Sequence, residues 1–490
     1  MKTEFMKMSI FLRKTGCLIL SVILAASIRP IKAAASFEIP RTCQVRADGG
    51  SAYTVKTLDY DYDYNTYFSL RDMAMVLKDT DKAFSLEVTK STVSLNTGEA
   101  YAPVGEENTP WEDGQNPNVS LWRNEFKVNG KKVYYYTLIM RLPSGYYDCF
   151  MMAADLGMIL DADITVPAPG SLQIHTQDSF HISPVSLEEE GYFDRFDTLL
   201  VGDAATGEIY YQYHADIPHP IASITKLMTY LLTMDSVYAG QISLEQQITV
   251  SEAAHLLSSS EDGVIRLEAG EELTVQELLV GALLPSSNEC ALCLAETIVG
   301  SEEAFVRMMN RKAAELGLDQ SVFFNSHGLP SYTESPIPPD RQNRMSAEDL
   351  FRLVSHLLKV YPQVKKITSM EYAALPSLEL EVRNINPLLH NLPEVTGLKT
   401  GSTNKAGSCL VTSLTADDGN SEHDLVVIVL GAENSIERGR VSELLARYAL
   451  DTFYHGVEKR EDGASDRLLE NLPVHAEVAV EWILQTAGKH

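Results

Sequence analysis

The pattern of apolar residues changes near residue 184, and this change constrains most strongly how the chain can fold. Residues 36–183 are rich in strand patterns and clustered tyrosines, with two short helical segments. Strand and helix patterns alternate through residues 184–455, and residues 456–490 are acidic and then weakly amphipathic. The length of 490 residues suggests about three structural units, at roughly 150 residues each. We therefore expect an α+β accessory domain at 36–183, a larger mixed α/β domain at 184–455 and a C-terminal tail at 456–490.

Residues 1–35 have the layout of a secretory signal peptide. Basic residues precede the apolar run Cys17–Ala26, and the small residues Ala33–Ala35 follow it. The basic residues are Lys2, Lys7, Arg13 and Lys14. An uncleaved signal anchor is the alternative, but Arg29 and Lys32 interrupt the run well short of the ~20 apolar residues that span a bilayer. The sequence therefore predicts export, with cleavage near Ala34 or Ala35.

The net charge of the chain excludes one class of partner. Forty Lys and Arg residues stand against 67 Asp and Glu residues, which gives a formal charge of -27. Such an excess of negative charge repels the phosphate backbone of nucleic acids. We therefore expect no nucleic-acid partner.

Few cysteines remain once the predicted signal peptide is removed, and they are Cys43, Cys149, Cys290, Cys293 and Cys409. Five thiols in so long a chain argue against a disulfide scaffold. Cys290 and Cys293 form a C-x-x-C pair, a spacing that also occurs in redox pairs and in each half of some zinc sites. No second such pair exists and the first lies in an apolar helical pattern, so buried thiols are favoured. We predict no metal and no cofactor, and the disulfide state of Cys409 and of the pair stays open.

A strand–helix–hairpin pattern occurs twice in the predicted accessory domain. A helical pattern at 69–77 precedes strand patterns at 84–88 and 91–95, and a helical pattern at 150–160 precedes a strand pattern at 171–175. The string YFSLRDMAMVL…STVSLN resembles the copper amine oxidase N-terminal-like domain, an accessory module of exported bacterial proteins. This resemblance covers only a short stretch and implies no catalysis.

Aspartate and tyrosine alternate along residues 59–65. Acidic groups at alternate positions begin an EF-hand loop, but that loop needs glycine at its sixth position and a carboxylate at its twelfth, where this chain has Tyr64 and Leu70. A calcium site is therefore excluded. The alternation instead predicts one strand with tyrosines on one face and aspartates on the other. We expect these tyrosines to pack in the core, and glycan stacking is the alternative.

Ser223 and Lys226 form a Ser-x-x-Lys pair in the apolar segment 220–232, which predicts the beginning of a buried helix. Residues three apart share a helix face, so the hydroxyl and the amine come within hydrogen-bond reach. The lysine can take the serine proton when burial or a neighbouring cation lowers its pKa. The pair alone is equally typical of a helix N-cap.

Ser286 and Asn288 form a Ser-x-Asn motif between two helical patterns. Pro285 and two consecutive serines break the first helix, so both motif residues are predicted to project from a short turn. A helix N-cap is the alternative interpretation of this motif too.

Lys399, Thr400 and Gly401 begin a strand pattern and are followed by Ser402. A cation and a hydroxyl at a strand edge suit a carboxylate. The glycine allows the backbone of another segment or of a ligand to approach closely. The third motif therefore predicts an anion-binding strand.

Taken in order, the three motifs match the set found in class A β-lactamases and penicillin-binding proteins. The wider match is to the low-molecular-mass serine D-alanyl-D-alanine carboxypeptidases, which residues 199–455 resemble. The matching strings are PIASITKLMTYLL, LLVGALLPSSNECALCLAE, FFNSHGLP, MSAEDLFRLVSHLL and VTGLKTGSTNKAGSCLVTS. This resemblance implies an α/β fold with an antiparallel sheet flanked by helices and a helical subdomain. It also implies action at the extracellular or cell-wall face of a bacterial cytoplasmic membrane.

The same resemblance implies roles for the first two motifs. Ser223 is expected to be the acylated nucleophile and Lys226 its general base. Ser286 is expected to relay a proton to the leaving amine, and Asn288 to hold a peptide amide of the substrate. The implied substrate is a peptidoglycan stem peptide ending in D-Ala-D-Ala, and β-lactams are expected to acylate the same serine.

The third motif is implied to bind the terminal carboxylate through Lys399 and Thr400. Lys399 is also expected to help keep Lys226 neutral by like-charge repulsion. The backbone amides of Ser223 and Ser402 are expected to form the oxyanion hole.

Three other functions remain as alternatives. A class A β-lactamase needs a Glu-x-x-Leu-Asn signature, and the nearest string, Glu315–Asp319, instead predicts a helix end with Gly317 in a left-handed conformation and a strand after it. The string Asn325–Leu329 favours a peptidase. Endopeptidase action on cross-links stays open, and a non-catalytic wall-binding or penicillin-sensing protein is the alternative of another class.

The tail at 456–490 leaves membrane association open. Its end carries an apolar stripe with Trp482, which an amphipathic anchor requires. Few cations accompany the stripe, so it is a poor match for a helix that lies on a lipid surface. Packing on the rest of the protein is the alternative.

Overall fold

The computed structural model describes residues 38–60, 65–111, 120–122, 125–165, 167, 170–189, 191–330 and 341–456. They form two compact units that divide between Tyr192 and Phe193. The division lies slightly after the predicted change at 184, because the helix Pro184–Glu189 belongs to the N-terminal unit. The predicted signal peptide and residues 457–490 of the predicted tail lie outside the described residues. No helix in the described ranges is long and apolar enough to cross a membrane.

The N-terminal unit is α+β. Its described strands form a mixed sheet of eight, in the order β11-β12-β1-β2-β3-β10-β9-β6, and a sheet of four, in the order β4-β5-β7-β8. The strands are β1 (Glu38–Ala47), β2 (Tyr53–Tyr60), β3 (Asn65–Ser69), β4 (Phe84–Val88), β5 (Thr92–Thr97), β6 (Ser120–Trp122), β7 (Glu125–Val128), β8 (Lys131–Val133), β9 (Thr137–Arg141), β10 (Tyr147–Met152), β11 (Asp163–Thr165) and β12 (Ser171–His175). The helices are α1 (Leu70–Leu77), α2 (Ala153–Leu160) and α3 (Pro184–Glu189).

The order strand, helix, hairpin occurs twice in this unit, as β3-α1-β4-β5 and as β10-α2-β11-β12. The second helix is shorter than the pattern at 150–160 predicts, because Phe150, Met151 and Met152 belong to β10. These residues pair with β3, so sheet pairing overrides the local helical pattern. The two hairpins lie in different sheets, which is the main difference between the two occurrences.

The prediction of one continuous strand at residues 59–65 is wrong. Strand β2 ends at Tyr60 and β3 begins at Asn65, and these two residues stand opposite each other in an antiparallel pair. The two strands that flank residues 61–64 therefore run in opposite directions. Residues 61–64, which carry most of the alternation, lie outside the described residues.

The C-terminal unit is mixed α/β, as predicted. Its main sheet is antiparallel, in the order β14-β13-β23-β22-β21. The strands are β13 (Thr198–Asp203), β14 (Glu208–Tyr213), β15 (His219–Pro220), β16 (Gln247–Thr249), β17 (Glu272–Thr274), β18 (Arg344–Met345), β19 (Tyr372–Leu375), β20 (Leu380–Arg383), β21 (Val395–Thr403), β22 (Gly407–Asp417) and β23 (Glu422–Ala432). The helices are α4 (Lys226–Tyr238), α5 (Glu252–Ser258), α6 (Val275–Leu283), α7 (Asn288–Val299), α8 (Glu302–Glu315), α9 (Ala347–Val360), α10 (Val364–Thr368) and α11 (Ser435–His455).

Strand β23 shows why this sheet is covered by helices. Its central residues, Leu425–Leu430, are consecutive, apolar and fully buried, so both faces of the strand are covered. Helices α9 and α11 both pack against it. The predicted antiparallel sheet flanked by helices is confirmed, and α4 to α8 form a helical region whose apolar residues belong to the same core.

The region after α8 only partly follows the prediction. Gly317 has a φ of 66°, which matches the predicted left-handed end of the helix. The predicted strand before Asn325 is instead a single bridge between Val322 and Arg344. Since β18 has two residues, it offers no partner long enough for a regular strand.

All described cysteines are buried and none forms a disulfide. Cys290 and Cys293 lie in α7, where burial raises the pKa of both thiols, that of Cys293 to about 12. Cys409 lies in β22, where burial likewise raises its thiol pKa to about 12. These thiols are therefore protonated and unreactive at neutral pH.

Candidate active site

Ser223 and Lys226 lie together at the N-terminal end of α4. Ser223 belongs to a 3₁₀ turn, Ala222–Thr225, and Lys226 is the first residue of the α-helix. The prediction that one α-helix carries both residues is therefore wrong in detail. The amine Nζ of Lys226 still donates to Ser223 Oγ at 2.8 Å, because a 3₁₀ turn brings residues three apart onto the same side.

The amine of Lys226 is buried and held by three acceptors. Besides Ser223 it donates to Asn288 Oδ1 at 2.7 Å and to the backbone oxygen of His327 at 3.0 Å, and 1% of the residue is exposed. Burial lowers the pKa of Lys226 to about 7, although the negative charge of Glu289 opposes this shift. The amine can therefore change its protonation state near neutral pH, as a general base must.

Lys399 has a lowered pKa for related reasons. Burial is the largest cause, and the positive charges of Lys226 and Arg438 add to it. The expected repulsion between the two lysines thus contributes to the shift at Lys399, whereas burial is the main cause of the shift at Lys226. An anion that bound beside Lys399 would stabilise its charged form.

The Ser-x-Asn motif connects α6 to α7. Ser286 is buried and its φ of 71° turns the chain between the helices, and Ser287 caps α7 by accepting from the amide of Cys290. Asn288 is the first residue of α7, and its Nδ2 donates to the backbone oxygen of Asp262 at 2.9 Å. The structure thus brings Asn288 into direct contact with Lys226, while Ser286 forms the turn two residues before it.

The Lys-Thr-Gly motif lies in β21, beside the serine turn. A side-chain carbon at Gly401 would lie 2.8 Å from the backbone oxygen of Ile221, so glycine permits this approach of the strand. Lys399 Nζ donates to the backbone oxygen of Thr400 at 2.9 Å. Thr400 Oγ1 is buried and has no hydrogen-bond partner among the described residues, and Ser402 is exposed. A buried hydroxyl without a partner is suited to a ligand.

Arg438 is a further cation at this site that the sequence reasoning missed. It lies in α11, and its Nη1 donates to Ser402 Oγ at 3.3 Å. Only tertiary packing reveals it, because α11 follows β21 by three secondary-structure elements and carries no motif. Arg438 therefore adds a permanent positive charge to the edge of the site that Lys399 and Ser402 form.

The segment at Asn325–Leu329 supports the serine turn from the other side. It forms a tight turn in which Asn325 Oδ1 accepts from the amide of Gly328 at 2.6 Å. The backbone oxygen of His327 binds Lys226, and burial lowers the pKa of the His327 side chain to about 3, so this imidazole is neutral. The string Asn325–Leu329 favours a peptidase in the sequence, but it gave no signal for this contact with Lys226.

Asn343 joins that turn to the nucleophile turn. Its Nδ2 donates to Thr225 Oγ1 and to the backbone oxygen of Asn325, both at 2.9 Å. Ala222, next to Ser223, has a φ of 47°, a left-handed conformation that costs a non-glycine residue about 1–3 kcal/mol. We conclude that the surrounding hydrogen bonds hold the serine turn in a conformation that it would not adopt alone.

We predict that Gly328→Ala slows acylation of the serine by a fluorescent penicillin by about 100-fold, because a misplacement of about 1 Å has effects of that size. A side-chain carbon at this position would overlap the backbone oxygen of Ala222 and displace the serine turn. Gly270→Ala is the matched control, since Gly270 also has a positive φ, 89°, but open space around it. Equal acylation rates in the two variants, measured on folded protein, would contradict the prediction.

No group of three or more His, Cys, Asp or Glu side chains in the described part of the chain could hold a metal ion. The arrangement around Ser223 instead contains a hydroxyl, an amine with a pKa near neutrality and a cationic strand edge. These groups suit transfer of an acyl group from a substrate that carries a carboxylate.

The comparisons with known proteins agree with this chemistry. The sequence profile of D-alanyl-D-alanine carboxypeptidases matches residues 195–434. A Pseudomonas aeruginosa protein named D-alanyl-D-alanine endopeptidase is 32% identical over 237 residues, which are 47% of this chain and 69% of that protein. The chain belongs to the D-alanyl-D-alanine carboxypeptidase family. The family resemblance inferred from the motifs is thereby confirmed.

Other members of the family match over the same part of the chain. D-alanyl-D-alanine carboxypeptidase DacF of Bacillus subtilis is 35% identical over 259 residues, which are 52% of this chain and 62% of that relative. The chain thus spans less than two thirds of the length of this relative. The crystal structure of a peptidoglycan synthesis regulatory factor (PBP3) from Streptococcus pneumoniae has 32% identity and a TM-score of 0.48, and the match covers 52% of this chain and 73% of that one.

Proposed function

We propose that the protein is a serine D-alanyl-D-alanine carboxypeptidase, which removes the terminal D-alanine of peptidoglycan stem peptides and binds penicillin covalently. The observation that carries this proposal is the 2.8 Å hydrogen bond between Ser223 and a buried Lys226 with a pKa of about 7. The names of the relatives supply the reaction: most are named carboxypeptidases and two are named endopeptidases.

In the acylation step, neutral Lys226 takes the proton of Ser223 Oγ as this oxygen attacks the carbonyl carbon of the penultimate D-alanine. The bond between this carbon and the amide nitrogen then breaks, and the leaving amine receives a proton through Ser286. The backbone amides of Ser223 and Ser402 stabilise the negative charge on the attacked oxygen. The product is an ester between Ser223 and the shortened stem peptide, together with free D-alanine.

The terminal carboxylate of the substrate binds at the cationic strand edge. Thr400 Oγ1 is a buried hydroxyl whose donor is available, and Lys399 and Arg438 supply positive charge. Because an anion stabilises the protonated form of Lys399, substrate binding and the charge on Lys399 support each other. Asn288 adds an amide group on the opposite side of the serine, where it also orients Lys226.

Water completes the reaction by hydrolysing the ester, and the position of Glu315 argues against a class A β-lactamase at this step. Glu315 pairs with Lys312 at 3.3 Å, and Lys312 pairs with Asp235 at 2.9 Å. Asp235 lies about 14 Å along α4 from Lys226, at 1.5 Å per residue. The Glu315 carboxylate, which lies near Asp235, is therefore remote from the ester. Slow release of β-lactams is expected.

Acylation is expected to require the neutral form of Lys226, so its rate should rise with pH through about 7, the pKa of this amine. Below this pH the amine is protonated and cannot accept the serine proton. The second-order rate constant for acylation by benzylpenicillin, measured from about pH 5 to pH 9, checks this. A rate that stays constant over this range would contradict it.

Endopeptidase action is the second candidate, because two relatives carry that name. The two activities differ in the amine that leaves: free D-alanine in one case, and the side chain of a second stem peptide in the other. Mass spectrometry of products from muropeptides with and without cross-links distinguishes them. Covalent labelling by penicillin without any product would favour the alternative of a non-catalytic penicillin sensor.

Export is also proposed, on the basic, apolar and small-residue pattern of residues 1–35. The N-terminal unit would then act outside the cell as a contact module for the wall or for a partner. Fractionation of cells into membrane, wall and medium, with the N-terminal residue of the mature protein determined, tests this. Protein that keeps residues 1–35 and stays in the membrane would instead be a signal-anchored form.

A further inference from the structure

Glu289 is a fully buried carboxylate in the first turn of α7, next to Asn288. Its Oε1 accepts hydrogen bonds from the backbone amides of Val264, at 3.1 Å, and of Ile265. Its Oε2 is buried and has no hydrogen-bond partner among the described residues. Burial of a charged group in this way is costly unless another charge compensates it.

Glu289 and Asn288 hold the same segment. Asn288 Nδ2 donates to the backbone oxygen of Asp262, and the Glu289 carboxylate accepts from the amides of Val264 and Ile265. Asn288 Oδ1 also accepts from Lys226 Nζ at 2.7 Å. Segment 262–265, the first turn of α7 and the candidate general base are therefore connected by consecutive hydrogen bonds.

The other described groups that face Lys226 supply no negative charge to balance its protonated amine. Lys399 on β21 can carry only a positive charge, and burial lowers the pKa of the His327 imidazole to about 3, so this ring is neutral. Cys290 on α7 is a thiol whose burial raises its pKa well above the usual value. Among the described groups that interact electrostatically with Lys226, Glu289 therefore supplies the negative charge.

We propose that Glu289 is a positioning residue for acyl transfer, which fixes segment 262–265 beside Asn288 and stabilises the protonated form of Lys226 between the two proton transfers. This inference rests on the proposed function. A general base works best when it binds a proton neither too weakly nor too strongly at the working pH. Burial weakens proton binding by Lys226, and the negative charge of Glu289 opposes this effect.

The test is Glu289→Gln, which keeps the side-chain length and the oxygen that accepts from Val264 and Ile265 but removes the charge. The acidic limb of the pH profile for penicillin acylation is expected to move down by about one pH unit or more, because an opposite charge close to an ionisable group has effects of this size. The rate at the plateau is expected to fall, since the amine becomes a weaker base.

Glu277→Gln is the matched control. Glu277 is also buried in the first turn of a helix, α6, and its carboxylate accepts from the amides of Thr274 and Ser377. It does not contribute to the pKa shift of Lys226. We expect this variant to lose stability but to keep the acidic limb of the wild type. A purely structural role of Glu289 would lower the acylation rate at every pH without moving the limb.

Wild-type protein distinguishes failure of the proposed function from failure of this inference. Wild-type protein that penicillin does not label contradicts the proposed function, whereas labelled wild type with an unmoved limb in Glu289→Gln overturns this inference alone. If Glu289→Gln does not fold, as judged from its melting temperature, Glu289→Asp tests the inference in its place. It keeps the charge, so its limb is expected at the wild-type position, and a limb displaced to lower pH would overturn the inference.

Discussion

Replacing Ser223 with alanine is expected to abolish both covalent labelling by penicillin and release of D-alanine. The serine oxygen is the atom that forms the ester, and it is the hydroxyl that the amine of Lys226 contacts at 2.8 Å. Without it no acyl-enzyme forms, so the loss is complete and not only a slower rate. Fluorescent penicillin followed by gel electrophoresis measures labelling, and a chiral assay of D-alanine measures release.

Ser421→Ala is the matched control for this experiment. Ser421 is exposed in the hairpin between β22 and β23, where its Oγ lies 2.9 Å from His423 Nε2, and His423 Nδ1 lies 2.7 Å from Asp203 Oδ2. This group resembles a Ser-His-Asp triad, but the amides of Asn420 and Ser421 already bind Asp418 and cannot form an oxyanion hole. We expect full labelling in this variant. Labelling that persists in Ser223→Ala and disappears in Ser421→Ala would refute the assignment of the nucleophile.

Replacing Lys226 with methionine is expected to slow acylation by at least about 1,000-fold. General-base catalysis contributes about 10²–10⁴-fold to such reactions, and the amine also orients Ser223. Methionine has a similar length and is apolar, so burial at this site favours it, and a stable fold is expected. Stopped-flow or quenched acylation by penicillin gives the rate, and the melting temperature reports the fold.

A second variant at this position distinguishes the loss of the base from the loss of the positive charge, and a variant at an exposed lysine is the control. Lys226→Arg keeps a positive charge that cannot be released near neutral pH, so it is expected to be as inactive as Lys226→Met. Lys359→Met removes an exposed lysine from α9 and is expected to acylate at the wild-type rate. Substantial activity in Lys226→Arg would contradict a role for the neutral amine as the base.

The three motifs and their order were enough to predict the family and the α/β class. The hydrogen bond between Ser223 and Lys226 was also predictable, since a spacing of three residues works in a 3₁₀ turn as in an α-helix. The helix ends at Leu283 and Glu315 followed from local signals, Pro285 after the first helix and Gly317 after the second.

Predictions that depended on sheet pairing were less accurate. Residues 150–152 belong to β10, and the alternating segment at 59–65 is divided between β2 and β3. In both places a strand partner that lies distant in the sequence, or a chain reversal, decides the local structure. A periodic pattern contains no information on either, so the prediction could not have included them.

The sequence by itself determined which chemical groups this protein carries and the order in which the chain supplies them. Tertiary structure alone decided their pKa values and their partners. Lys226 becomes a candidate base because burial lowers its pKa to about 7, and burial is a property of the packed core. Arg438, the backbone oxygen of His327 and Glu289 join the site for the same reason. They lie on separate elements, and only the folded sheet and helices bring these elements together around Ser223, Lys226 and Ser402.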